Sequence, residues 1–212
     1  MVIAIDGPAG AGKSTVAKGV ADALGFTYLD SGAMYRCVAL AGLRRGADPG
    51  DSSELGAIAR GLDISLRPGA VVLDGEDVTG AIRAPEVGEA ASHVSVHSEV
   101  REAMVARQRA LIATGGYVAE GRDIGTVVSP DAPLKVFLTA SDDERARRRA
   151  AETGEPLDDV VEAQRERDSR DRGRDHSPLH AADDAVELDT TDLSVVEVVE
   201  RVVALARERE LA

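Results

Sequence analysis

Hydrophobic residues along the chain fall into two patterns. Short, mostly apolar runs occupy residues 2–5, 26–29, 117–119, 134–138 and 185–188, interrupted only by Thr27, Lys135 and Glu187. Runs of that length, rich in Val, Leu and Ile, suit strands buried on both faces of a parallel sheet. Between and after them the apolar positions recur every three or four residues. This happens through Val16, Ala17, Val20, Ala21 and Leu24, again through Met34, Cys37, Val38 and Ala41, and over 85–96, 98–113, 142–152, 158–172 and 194–209. That spacing predicts helices with one apolar face. The last opens with Asp192 and Ser194 as capping candidates, and its valine pairs form a core-facing stripe rather than a membrane span. Strand and helix in alternation predict an α/β fold, a doubly wound parallel sheet with helices on both faces. Residues 63–79 break the alternation: Ile64-Ser65-Leu66, then Arg67-Pro68-Gly69, then Val71-Val72-Leu73 and Asp74-Gly75 predict short antiparallel strands. They read as a small insert within one domain spanning 1–212.

Composition narrows the partners. The 212 residues carry 25 Lys+Arg against 38 Asp+Glu, a formal charge of −13, which repels nucleic-acid polymers and anionic membranes. With only 2% aromatic residues, the core must be aliphatic. Cys37 is the one cysteine, so no internal disulfide forms, and its place in a helical pattern suits a buried small hydrophobe. The chain enters a core strand at once and has no apolar run long enough to span a membrane, so a cytoplasmic protein is expected. A monomer is the separate expectation, which no sequence feature decides.

The chemistry starts at Gly7-Pro8-Ala9-Gly10-Ala11-Gly12-Lys13-Ser14-Thr15, a complete G-x-x-x-x-G-K-S/T directly after the first strand run and directly before a helical pattern. Such a loop turns its amides inward around a β-phosphate; Lys13 reaches the β- and γ-phosphates, and Ser14 ligates Mg²⁺. A nucleoside triphosphate is the expected ligand. A GTPase switch would need an Asn-Lys-x-Asp guanine reader, and the chain has no asparagine. A small-molecule kinase and a non-catalytic ATP-binding module stay open on the loop alone.

Three further segments suit a second anionic substrate. In Asp30-Ser31-Gly32-Ala33-Met34-Tyr35-Arg36, Asp30 is available to a metal-bound water and Arg36 to a phosphate, although Asp30-Ser31-Gly32 also reads as a plain helix cap. In Glu120-Gly121-Arg122-Asp123 an Arg-Asp pair leaves the end of a buried strand, where open α/β sheets bind ligands; a surface ion pair is the plainer alternative. Arg167, Arg170, Asp171 and Arg174 share one helix face, three guanidiniums about one carboxylate, which is either a solvated charged helix or a lid over transferring phosphate. The His93/His97 and His176/His180 spacings lack the partners that a zinc set needs.

Taken together, Ile-Asp-Gly-Pro-Ala-Gly-Ala-Gly-Lys-Ser-Thr, Leu-Asp-Ser-Gly-Ala-Met-Tyr-Arg, the Gly75-Glu76-Asp77-Val78 insert, Glu-Gly-Arg-Asp-Ile-Gly-Thr-Val-Val and Arg-x-x-Arg-Asp-x-x-Arg closely resemble the bacterial cytidylate kinases, nearly end to end. The resemblance implies a P-loop kinase fold with a nucleoside monophosphate-binding region over 31–115 and an arginine-rich lid over 153–176. It implies transfer of the ATP γ-phosphate to CMP or dCMP with Mg²⁺. By that similarity Ser92, Arg101 and Asp123 contact cytosine, and Ser31, Arg167 and Asp171 hold the sugar. Tyr35 belongs to the same substrate set, Arg36 and Arg122 bind the acceptor phosphate, and Arg170 and Arg174 join Lys13 in catalysis.

Overall fold

The computed structural model describes residues 1–173 and 177–211, and the chain divides into two compact units, Met1–Leu29 with Ile112–Ala212 and Asp30–Leu111. The first unit is built on a five-stranded sheet of β1 (Val2–Asp6), β2 (Thr27–Asp30), β6 (Tyr117–Gly121), β7 (Leu134–Thr139) and β8 (Val186–Asp189), in the order β2-β6-β1-β7-β8. β1 runs parallel to β6 on one side, Ile3 opposite Val118, and parallel to β7 on the other, Ile5 opposite Val136. A strand with neighbours on both edges and layers on both faces has no wet side, so all five β1 residues are buried and the run is continuous. Helices α1 (Lys13–Leu24) and α8 (Val195–Glu208) pack together, and Val16, Val20, Val198 and Val202 join Ile3, Ile5, Leu134 and Leu138 in one core. Burying each such side chain contributes about 1.5–3 kcal/mol. α8 starts where its cap was expected: Ser194 Oγ accepts from the Glu197 amide, and the Glu197 carboxylate accepts from the Ser194 amide at 2.8 Å. This unit also holds α6 (Asp142–Thr153), α7 (Leu157–Arg172) and a π-helical turn, Ile124–Val128.

The second unit carries α2 (Ser31–Arg45), α3 (Ser52–Gly61), α4 (Pro85–Val94) and α5 (Ser98–Ile112), together with an antiparallel sheet of β3 (Ile64–Arg67), β4 (Ala70–Leu73) and β5 (Glu76–Asp77). The expected antiparallel insert is therefore present, with β4 in the middle. α2 packs on α4, and Cys37 is fully buried in α2, where burial pushes its thiol up to about 12. The hydrophobic runs did not disclose α3. Its signals are local: Asp51 accepts from the Glu54 amide at 2.9 Å, and Leu55, Ile58 and Ala59 form its buried face.

Candidate active site

β1 delivers the phosphate loop at the C-terminal edge of the sheet. Gly7 has φ 148°, and a Cβ there would run into the Leu138 carbonyl oxygen of β7, so only glycine lets the chain leave β1 so close to its neighbour. Gly12, at φ 83°, turns the chain into α1 without capping it by a side chain, and the first turn of α1 holds no acidic residue. The first amides of α1 and the positive end of its dipole are thereby left to an anion. Ser14 and Thr15 are exposed beside them.

Lys13 is buried, and its Nζ donates to the Pro8 carbonyl oxygen at 2.7 Å. Burial, with Arg122 and Arg167 adding repulsion, lowers its pKa to about 7 against the attraction of Glu120 and Asp171. The ammonium is thus destabilised until a phosphate arrives. With its pKa lowered to about 7, Lys13 loses charge as pH rises through neutrality, and an anion bound beside the ammonium would favour the charged form and draw a proton. Calorimetric titration with Mg·ATP in buffers of different ionisation enthalpy should show uptake approaching one proton at about pH 8 and fading toward about pH 6. Uptake that does not change over this interval would contradict this assignment to Lys13.

The next strand, β6, ends in Glu120 and Gly121 and hands over to Arg122 and Asp123. Glu120 is buried and accepts from the Tyr28 hydroxyl at 2.5 Å. Arg122 Nε donates to Asp171 Oδ2 at 2.9 Å, and the buried Asp171 carboxylate holds the guanidinium charged. The pair joins the strand end to α7, a partnership the helix pattern could not show, since it grouped Asp171 only with arginines of its own helix. α7 turns Val160, Gln164, Asp168 and Asp171 inward, with Arg167 and Arg170 half-buried beside them. Arg174 and the rest of the expected lid over 174–176 lie outside the described residues. Asp123 is buried and begins the π-helical turn, its carbonyl accepting from the Val127 amide at 2.8 Å.

Two residues of this unit escaped the sequence reading. Asp6, the only polar residue of β1, accepts from the amides of Ile124 at 2.9 Å and Gly125 at 2.7 Å. Burial pushes its carboxyl up to about 6, against the pull of those two amides. Arg145 of α6 is 1% exposed and donates to the Ala9 carbonyl oxygen at 3.0 Å and to Asp168 at 2.6 Å, tying the phosphate loop to α7. The signal for Asp6 was a carboxylate inside an apolar run. For Arg145 there was none, because it lies in a stretch of similar arginines.

In the second unit, Asp30 caps α2, with Oδ1 accepting from the Ala33 amide at 2.8 Å and Oδ2 from Arg83 at 3.1 Å. The plain reading of Asp30 as a helix cap therefore holds. Arg36 Nη1 donates to the Ile82 carbonyl oxygen at 2.8 Å, and its guanidinium lies over Gly88, where a Cβ would come within 3.2 Å. Arg101 is buried, with its guanidinium 5.9 Å from the centre of the Tyr35 ring and Nη1 3.4 Å from the Ser95 carbonyl oxygen. Ser95 Oγ in turn donates to the Ser92 carbonyl oxygen, while Ser92 Oγ, also buried, has no hydrogen-bond partner among the described residues. A buried hydroxyl left in that state suits a polar ligand. Ser31 is buried at the head of α2. Of the histidines, His97 Nε2 lies 2.8 Å from the Pro49 carbonyl oxygen. Among the described residues no group of three or more His, Cys, Asp or Glu gathers to hold a metal ion.

Solved structures share this architecture. A gluconokinase from Sinorhizobium meliloti superposes with a TM-score of 0.53 at 19% identity, covering 99% of this chain and 93% of that one. An uncharacterized protein from Eubacterium ventriosum superposes at 0.55 with 14% identity, covering 98% of each chain. Such likeness speaks for the fold. Sequence relatives go further: a cytidylate kinase of Solibacter usitatus is 52% identical, over 99% of this chain and 93% of its own. One from Geobacter sulfurreducens is 46% identical over 100% and 95%, and one from Burkholderia pseudomallei 50% over 98% and 93%. The cytidylate kinase family model matches residues 3–208, so it takes in the phosphate loop, the Arg122-Asp123 strand end and the α7 arginines alike, and the chain belongs to the cytidylate kinase family.

Proposed function

We propose that the protein transfers the γ-phosphate of ATP to CMP or dCMP, forming ADP and CDP or dCDP. The observation that carries this reading is the charge set around Lys13: Arg122, directly after β6, and Arg167 from α7 act on the same ammonium as the buried carboxylates Glu120 and Asp171. Two further guanidiniums beyond the loop suit a second phosphate beside that of ATP. The phosphate of a monophosphate is ionised at neutral pH, so it attacks without a general base. Catalysis then reduces to positioning and charge neutralisation.

In this reading Gly7–Thr15 holds the ATP phosphates, and Lys13, Arg170 and Arg174 offset charge on the transferring group. Arg36 and Arg122 grip the acceptor phosphate, Ser31, Tyr35, Arg167 and Asp171 hold the sugar side, and Ser92, Arg101 and Asp123 read the base. The orphaned Ser92 hydroxyl and the buried Arg101 support a polar base edge as ligand. Ser14, exposed at the head of α1, offers a hard oxygen of the kind Mg²⁺ takes alongside phosphate oxygens and waters, with Asp30 a further candidate through water. When bound, the ion neutralises charge on the β- and γ-phosphates. We take the enzyme to act as a monomer in the cytoplasm. The test is ADP release from Mg·ATP: adding CMP or dCMP should raise it well above the rate with no acceptor, and a rate indifferent to acceptor would return the chain to an ATP-binding module.

A further inference from the structure

Asp6 stands apart from everything else in β1. The strand is apolar and buried at all its other positions, yet it ends in a carboxylate that is itself 6% exposed. A buried carboxylate is retained only where hydrogen bonds or charges compensate the lost water. Here both oxygens are used, and both point sideways across the sheet rather than forward into the phosphate loop: Oδ1 accepts from the Ile124 amide and Oδ2 from the Gly125 amide. Those amides belong to the first residues of the π-helical turn, directly after Arg122 and Asp123. In the sheet Asp6 lies opposite Gly121, the last residue of β6, so the carboxylate reaches across one strand spacing to the segment that continues β6. Glycine at 125 leaves room for this approach: a Cβ there would come within 3.4 Å of Asp6 Oδ2 and 3.2 Å of the Lys135 stem.

We infer that Asp6 is a positioning residue for the acceptor nucleotide, clamping the turn that carries Arg122 and Asp123. The inference rests on the reading of those two residues as acceptor-phosphate and base contacts. A π-helical turn has longer-range hydrogen bonds than an α-helix and is seldom stable without help from its surroundings. Two charge-assisted hydrogen bonds from one carboxylate supply that help at its N-terminal end. The charged groups facing Asp6 are Lys13, which attracts it, and Asp123, which repels it.

The experiment compares the full-length wild type with Asp6→Asn and Asp6→Ser. Asparagine keeps the shape but presents an NH₂ to one of the two amides, donor against donor; serine is smaller and keeps one acceptor. The KM for CMP should rise at least ~10-fold in both variants while the KM for ATP moves less than ~2-fold. A merely structural role lowers thermal stability without splitting the two constants. Equal rises for ATP and CMP, or an unchanged KM for CMP, would overturn the inference. Where neither variant folds, amide exchange in the wild type decides: CMP should slow exchange at Ile124 and Gly125 and ATP alone should not, and an equal response to the two nucleotides would refute the clamp. A wild type that ignores CMP as acceptor refutes the proposed function instead, so the two failures are distinguishable.

Discussion

Replacing Lys13 with alanine should lower kcat by at least ~10², equivalent to about 2.7 kcal/mol of transition-state stabilisation, in a protein that stays folded. The side chain is buried against the Pro8 carbonyl oxygen, in a site that disfavours its charge, so its removal should leave the free protein folded. The loss falls on the complex. In its proposed role Lys13 offsets charge developing on the γ-phosphate, and solvent replaces a preorganised buried cation poorly. The same variant should lose the proton uptake that accompanies nucleotide binding, because the group that titrates is gone. Turnover near that of the wild type, in a protein whose circular dichroism is unchanged, would contradict the assignment of Lys13.

Asp123→Asn should damage CMP turnover more than UMP turnover. Cytosine presents an amine donor at C4 and uracil a carbonyl at the same place, so a buried carboxylate accepts from the first and opposes the second. Asp123 is 5% exposed, which makes either outcome expensive to screen. An unpaired or repulsive contact of this kind costs roughly 1–3 kcal/mol, or a discrimination on the order of 10- to 150-fold. Asparagine rotates to offer donor or acceptor, so it meets either base and narrows the ratio. Were Asp123 only a structural partner of the β6 end, both acceptors would lose activity by the same factor. The separate values of kcat/KM for CMP and UMP distinguish these outcomes.

The fold was legible because burial on both faces leaves an unmistakable trace. Val2–Asp6 and Leu134–Thr139 sit inside the sheet, and their apolar runs match the strands to within a residue or so. What the pattern missed was what local or side-chain chemistry decides. The helix over Ser52–Gly61 depends on an Asp51 cap and three apolar positions. The turn over Ile124–Val128 has no period of its own to detect and takes its amide partners from Asp6, more than a hundred residues earlier. The phosphate loop was legible as a motif, since each position has a separate steric or electrostatic reason. The α7 face was only half legible: helical spacing grouped Asp171 with neighbouring arginines, but a helical wheel contains no other strand, and its observed partner is Arg122 at the end of β6. Arg145 shows the limit most plainly, a buried cation in a run of arginines of which it alone reaches the Ala9 carbonyl oxygen.

Recognition of a cytosine monophosphate and transfer of the ATP γ-phosphate to it are read together in one acceptor comparison. The most direct test is kcat/KM for the wild type with Mg·ATP and saturating donor, measured with CMP and with UMP as acceptors. CMP should be preferred by at least ~10-fold, the lower end of what one buried base contact provides. Equal use of the two acceptors, or ATP turnover that neither accelerates, would contradict it.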